Sequence, residues 1–202
     1  MRILTDNTEV FTDTTITSST LNSTAVTLDR TSGFSIWAQA TDSTPSAKTF
    51  LDANANTGSD IITVASHGFL TGLKVRLTSS GTLPAGLSLA TDYFVIASTS
   101  STIKLASSLV LALAGTGVDI TAAASGGTHT ITPTTTIAGT VKLQGSLDGS
   151  NYVDISSSSQ NISGAGTYMW NVADAFYKYV RVQAGITTGQ GTLTAKITTK
   201  GE

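Results

Sequence analysis

The chain of 202 residues can bury one sizeable core or two small ones, and its 11 Lys and Arg against 13 Asp and Glu leave a formal charge of -2 with no basic run to follow a phosphate backbone. Nucleic acid is therefore excluded as a partner, and the lack of cysteine excludes disulfides and thiolate metal sites. Charged residues are only 12%, so the polar surface must come from Ser and Thr, roughly three residues in ten, a composition that suits strands and turns and predicts an all-β protein.

In chain order, "TEVFTDTTITSSTLNSTAVTLD" supplies Val10, Ile16, Leu21, Val26 and Leu28 between short polar breaks. "FSIWAQA" then alternates Phe34, Ile36, Ala38 and Ala40 against Ser35, Trp37 and Gln39, the period of a strand with unlike faces. From about Ser43 to Thr136 the chain changes character: Ala, Leu and Gly rise, and aromatics thin to Phe50, Phe69, Tyr93 and Phe94. Pro45 and Pro133 mark the two hinges of this middle. Inside it "DIITVAS", "LKVRLTSS", "DYFVIAS", "STIKLASS" and "GTHTITP" read as short strands, and "SLVLALAG" as a helical turn or two. No apolar run reaches the ~18 residues of a membrane span, since Ser108 to Val118 is broken at Gly115. A soluble chain with no membrane partner and no targeting segment is expected.

After residue 136 come "GTVKLQGS", "NYVDISS", "TYMWNV", "YKYVRVQA" and "GTLTAKITT", at the spacing of sandwiches and barrels. Asp148-Gly149 within "LDGSN" predicts a tight type I′ reversal, and "TTGQGT" joins the last two strands. The two ends, 1–43 and 137–202, are expected to close one jelly-roll-like β-sandwich. Residues 44–136 form an inserted, projecting, small β-barrel-like domain.

The stretch from "HGFLTGLKVRLTSSGTLPAGLSLATDYFVIAS" to "SGGTHTI", roughly residues 58 to 132, resembles a small β module of tail and other virion proteins of tailed bacteriophages. Its marks are a His-Gly opening, a Thr-Leu-Pro-Ala-Gly-Leu turn, a Tyr-containing strand and a closing Gly-Thr-His strand. It looks like modules named for the small β domain of ubiquitin-activating enzymes, a label of shape that carries no ubiquitin chemistry. "GTVKLQGSLDGSNYVDI" with "GAGTYMWNVADAFYKYVRVQAGITTGQGTLTAKI" is similar to small phage β-sandwich proteins of the discoidin-like or capsid-decorating kind.

Candidate chemistry is sparse. His67 and His129 lack an evident third ligand for zinc and read as turn or strand-end residues. "SGGTHT" and "GAGTY" lack the Lys-Ser/Thr of a phosphate loop, and "DGSN" lacks the repeated oxygen ligands of a calcium loop. Asp119, Asp148, Asp154 and Asp174 stand singly beside turns, and no G-x-S-x-G elbow occurs. No enzyme, cofactor or metal is expected.

The aromatics Tyr152, Tyr168, Trp170, Phe176, Tyr177 and Tyr179 gather in the last third. In "YKYVRVQA", Val180, Val182 and Ala184 share one face, and Tyr179, Arg181 and Gln183 the other. Trp37, Tyr168, Trp170, Tyr177, Tyr179 and Arg181 are the candidate contacts to a protomer or partner. A core role or a sugar-stacking platform is the alternative for the aromatics. The resemblance implies a non-enzymatic virion structural protein at the capsid surface or tail, most simply a homo-oligomeric capsid decoration or head-fibre protein bound to the major capsid protein. A tail-fibre, baseplate or neck component and a glycan-binding adhesion module are the other readings.

Overall fold

The computed structural model describes residues 5–28, 31–173 and 176–201, and nearly all of its regular structure is antiparallel β. The strands are β1 (Thr5–Ile16), β2 (Thr20–Asn22), β3 (Val26–Thr27), β4 (Thr31–Asp42), β5 (Lys48–Leu51), β6 (Ala55–Asn56), β7 (Ile61–Thr63), β8 (Lys74–Ser79), β9 (Asp92–Ala97) and β10 (Thr102–Ala106). A one-turn helix α1 (Leu109–Leu113) precedes β11 (Thr128–Pro133). The chain ends with β12 (Ala138–Ser146), β13 (Val153–Asp154), β14 (Gln160–Ser163), β15 (Gly166–Ala173), β16 (Tyr179–Thr188) and β17 (Gly191–Gly201). Two compact units result, one of Met1–Ser43, Ile137–Thr187 and Gly191–Glu202, the other of Thr44–Thr136 with Thr188–Gln190.

In the first unit one sheet has the order β1-β17-β4-β15, and the other runs β13-β12-β16-β2, with β14 also on β12 and β3 also on β16. Counting β2 with β3 and β13 with β14 as interrupted single strands, the described residues of this unit form eight strands. First pairs with last, second with seventh, third with sixth and fourth with fifth. That is a rolled antiparallel ribbon, the jelly roll. Strand alternation fills the space between its sheets. Phe34, Ile36, Ala38 and Ala40 of β4 and Leu193, Ala195 and Ile197 of β17 face Val141 and Leu143 of β12 and Val180, Val182, Ala184 and Ile186 of β16 in one buried cluster. Within the β4–β17 ladder the small pair Ala38–Ala195 sits between the larger Ile36–Ile197 and Ala40–Leu193 pairs.

The second unit is one seven-stranded sheet of order β5-β11-β8-β9-β10-β7-β6. Its core is formed by Phe50, Ile62, Phe69, Leu73, Val75, Leu77, Val95, Ile103, Leu105 and Ile131 with their neighbours. The two edge strands, β5 and β6, are consecutive in the chain and joined only by the 3-10 turn Asp52–Asn54. The sheet must therefore curl until its edges meet at one corner. The expected small barrel is nevertheless not closed, because no ladder joins β5 to β6. Thr188–Gln190 belong with this unit because the buried Gln190 amide accepts from the Leu70 N–H at 2.9 Å and donates to the Gly68 carbonyl at 3.0 Å.

The second local correction concerns Asp148-Gly149. Gly149 has a φ of 77°, but Asp148 is not among the positive-φ residues, so the type I′ turn is not formed. The Asp148 carboxylate instead accepts from the Ser150 and Asn151 backbone N–H groups, each at 2.8 Å, and organises the longer loop from β12 to β13. Among the described residues no helix is long and apolar enough to cross a membrane.

Each core carries its own unit. Leu143→Ala in the sandwich and Leu77→Ala in the inserted unit both empty a buried position and should each destabilise by about 2–5 kcal/mol. Denaturant titration would measure this. A change near zero at either position would mean that the packing there is not as described.

Candidate functional site

The sandwich unit carries an open cleft of about 690 Å³, built where the loop after β12 meets the segment entering β16. Leu147, Val153, Val172, Phe176 and Tyr177 supply much of its apolar lining. Three of these are displayed to solvent to a degree unusual for large apolar side chains: Leu147 at 72%, Val153 at 61% and Phe176 at 87%. Glycine shapes the floor. A methyl built at Gly145 would overlap the Tyr177 ring, so the bare backbone of β12 is what lets that ring lie flat along the cleft. A Cβ at Gly149 would only touch the Tyr179 ring, at 3.3 Å.

Ser146 and Asp148 at the rim are engaged within their own loop. Asp148 accepts from the Asn151 and Ser150 backbone N–H groups, from the Asn151 side-chain amide at 2.7 Å and from the Ser146 hydroxyl at 2.9 Å. The Asn151 backbone N–H, with these other donors, holds the Asp148 carboxyl well below the usual carboxylate range. With its acceptors engaged locally, the cleft offers an incoming group mainly apolar surface.

The six contact candidates from the sequence do not converge. Tyr177 lines the cleft. Tyr179 and Arg181 lie on the outer face of β16, where Arg181 donates to Gln144 at 2.9 Å and its guanidinium sits 3.9 Å from the centre of the Tyr152 ring. Gln144 in turn donates to Asp154, which is also paired with Lys142, so this face is a connected polar network. The Lys142 ammonium, followed by the Gln144 amide, lowers the Asp154 pKa. Trp37 lies half-buried on the outer face of β4, in register with Lys196 on one side and Met169 on the other.

Trp170 is a correction. It is buried in the core, and its indole N–H donates to the Ser158 carbonyl at 2.7 Å, because β15 turns its Trp170 face inward and its Met169 face outward. Tyr168 shares that inward face, with its ring centre 6.4 Å from that of Trp170, and burial raises its hydroxyl pKa. Leu147, Val153 and Phe176 were missed as site residues. The available signal was large apolar side chains placed inside turn-rich segments rather than at alternating strand positions. Asp174 lies outside the described residues.

Both histidines sit in the inserted unit. His67 accepts the Phe69 N–H on Nδ1 at 2.9 Å and donates from Nε2 to the Thr99 carbonyl at 2.8 Å, so both ring nitrogens have partners. His129 lies between Ser79 on Nδ1 and Asp52 on Nε2, each at 2.8 Å. The residue types match a hydrolytic triad, but the arrangement differs: in the hydrolases it is Nε2 that takes the serine proton. Here that nitrogen faces the acid. The ring is wholly buried against Phe50, and the Ser79 oxygen also accepts the Gly81 N–H within its own turn. These contacts make the trio a strut between β8, β11 and the Asp52–Asn54 turn. His129, followed by the Gly126 and Gly127 N–H groups, keeps the Asp52 carboxyl below its ordinary range. Among the described residues no group of three His, Asp or Glu is placed to hold a metal ion.

Two outcomes follow. Gly145→Ala should displace the Tyr177 ring, destabilise the unit by about 1–3 kcal/mol and change the near-ultraviolet circular dichroism of tyrosine; an unchanged spectrum would show that the ring does not rest on Gly145. Because folding lowers the Asp148 pKa, its stabilising effect is present above the unfolded carboxylate value of about 3.9 and disappears as pH falls through the lower folded value. Asp148→Ala should therefore lose less stability than the wild type between about pH 5 and pH 2. Equal acid sensitivity in denaturant titrations would refute that role.

No family model matches the chain, and no curated protein matches it in sequence. Among solved structures, a candidate secreted protein from Parabacteroides distasonis ATCC 8503 aligns with 99% of this chain and 89% of its own length at 10% identity, with a TM-score of 0.23. That overlap does not establish a shared fold.

Proposed function

We propose that this is a non-catalytic structural protein of a tailed-bacteriophage virion, a capsid decoration or head-fibre component whose sandwich unit docks through its apolar cleft. The observation that carries the reading is the cleft itself. Leu147, Val153 and Phe176 are exposed together beside polar groups that are satisfied within their own loop. Such a surface suits an apolar protein segment better than a charged or strongly hydrogen-bonding small molecule. The jelly-roll topology is compatible with this setting, since viral capsid domains use it, although lectins and enzymes use it too. The phage setting rests on the resemblance of residues 58 to 132. A tail-fibre, baseplate or neck position would use the same contact.

Glycan adhesion is the second reading. It draws on Trp37, which sits on an outer sheet face in line with Met169 and beside Ser35, Gln39 and Thr194. Unchanged glycan binding after Trp37→Ala, or no glycan bound at all, would remove it.

The first reading is tested by quantitative mass spectrometry of purified virions against the major capsid protein. A copy number that scales with the capsid lattice is expected, a few copies per particle would relocate the protein to the tail or neck, and absence would overturn the virion assignment. An apolar contact should also hold the protein on particles in about 1 M NaCl, where the screening length is about 3 Å. Release by salt alone, or full retention of a variant carrying Leu147→Asp and Phe176→Ser, would overturn docking through the cleft.

A further inference from the structure

Six of the nine large apolar side chains exposed among the described residues fall into just two groups. Leu147, Val153 and Phe176 form the cleft of the sandwich unit. Val110, Leu111 and Leu113 form a knob on the inserted unit, with Val110 at 76% and Leu113 at 57% exposure. The knob is held in place: α1 is capped by the Ser108 hydroxyl, which accepts the Leu111 N–H at 3.3 Å, and is pinned by the buried Ala112. α1 packs on β9 and β10 through Ala112 and still turns Val110 and Leu113 outward.

We infer that the occupant of the cleft is α1 of a second copy of this chain. This deepens the reading of the cleft as an assembly contact and rests on it. Three observations favour a second copy. The knob is a compact convex group of aliphatic side chains, and the cleft is an open apolar concavity of about 690 Å³, with room for more than one such side chain. No charged residue occurs from Leu105 to Val118, and the charged residue among the cleft's described lining, Asp148, has its carboxylate engaged by its own loop, so neither surface repels the other or leaves a charge unpaired. Both surfaces also belong to one chain and are therefore always present in equal number.

The two patches are different surfaces of one chain, so each copy offers one knob and one cleft, and copies join as a reciprocal pair, a ring or an open chain. A single helical turn covers far less than the roughly 800 Å² per partner of a standard stable interface. The contact is accordingly weak in dilute solution and gains strength where copies are held close together, as on a lattice.

The test is sedimentation of the full-length chain over a range of concentrations, with two double variants at exposed positions. One carries Val110→Asp and Leu113→Asp in the knob, and the other carries Leu147→Asp and Phe176→Ser in the cleft. Circular dichroism checks that both remain folded. The wild type should show a mean mass that rises with concentration, and each variant alone should associate at least about tenfold more weakly, since a carboxylate would be buried in an apolar contact. An equimolar mixture of the two should form one-to-one dimers and nothing larger, because one intact knob and one intact cleft remain. A wild type that stays monomeric, a knob variant that associates like the wild type, or a mixture that fails to restore the dimer would each overturn the inference. Retention of the knob variant on virions together with loss of the cleft variant would leave the assembly reading standing while removing the second copy as occupant.

Discussion

The placement of the last strand governs the sandwich. β17 lies between β1 and β4, so the β1-β17-β4-β15 sheet has no middle until the C-terminal segment arrives. Its ladder with β4 runs almost the whole length of both strands and brings together residues some 150 positions apart. Folding of this unit is thus dominated by distant pairings, which are slow to nucleate. The insertion between β4 and β12 is tolerable on the same physical ground. Loop-closure entropy grows only logarithmically with length, and the insertion has a separate core of its own.

The outer faces of the two sheets and the cleft follow different rules. On the outer faces, polar side chains answer one another across strands: Ser35 donates to Asn171, Thr41 bonds Thr192, Gln183 donates to Asn22, and Glu9 pairs with Lys196. Apart from the Glu9–Lys196 ion pair these are hydroxyls and amides, which explains how a chain so poor in charged residues covers its sheets. At the cleft the polar groups turn inward on their own loop, and the apolar side chains are left outward. Apolar surface of this kind gains from water release on burial and has little of the long-range steering that charge provides.

Much of the fold was legible because alternation is a local signal. Phe34 to Ala40 and Val180 to Ala184 announce which face is buried without reference to any partner strand. Trp170 was harder. In "TYMWNV" both faces carry apolar residues, so periodicity alone does not say whether Met169 or Trp170 points inward, and packing against Tyr168 and the Ser158 carbonyl decides it. The Asp148-Gly149 pair was misread because a side-chain acceptor can organise a loop that backbone propensity alone assigns to a tight turn. The cleft was missed for a related reason: Leu147 and Phe176 are distant in sequence, and only the strand order of the roll brings their loops to one place.

The inserted unit shows how a curled sheet can be held without a closing ladder. Its edges, β5 and β6, meet at the Asp52–Asn54 turn, where a barrel would have backbone hydrogen bonds. Side chains take their place. Asp52 accepts from His129 of β11 and from the Gly126 N–H, Asn54 accepts the Leu51 N–H, and Asp60 accepts the Ile120 N–H. The Asn54 bond closes the turn on itself, the Asp52 bonds tie the turn to β11 and the segment before it, the Asp60 bond reaches the segment around Ile120, and His129 adds Ser79 of β8 from its other nitrogen. Triad chemistry is therefore not needed to explain why Ser79, His129 and Asp52 converge here. A buried imidazole has two opposed polar atoms, and linking one strand to its neighbour and to the open corner uses both.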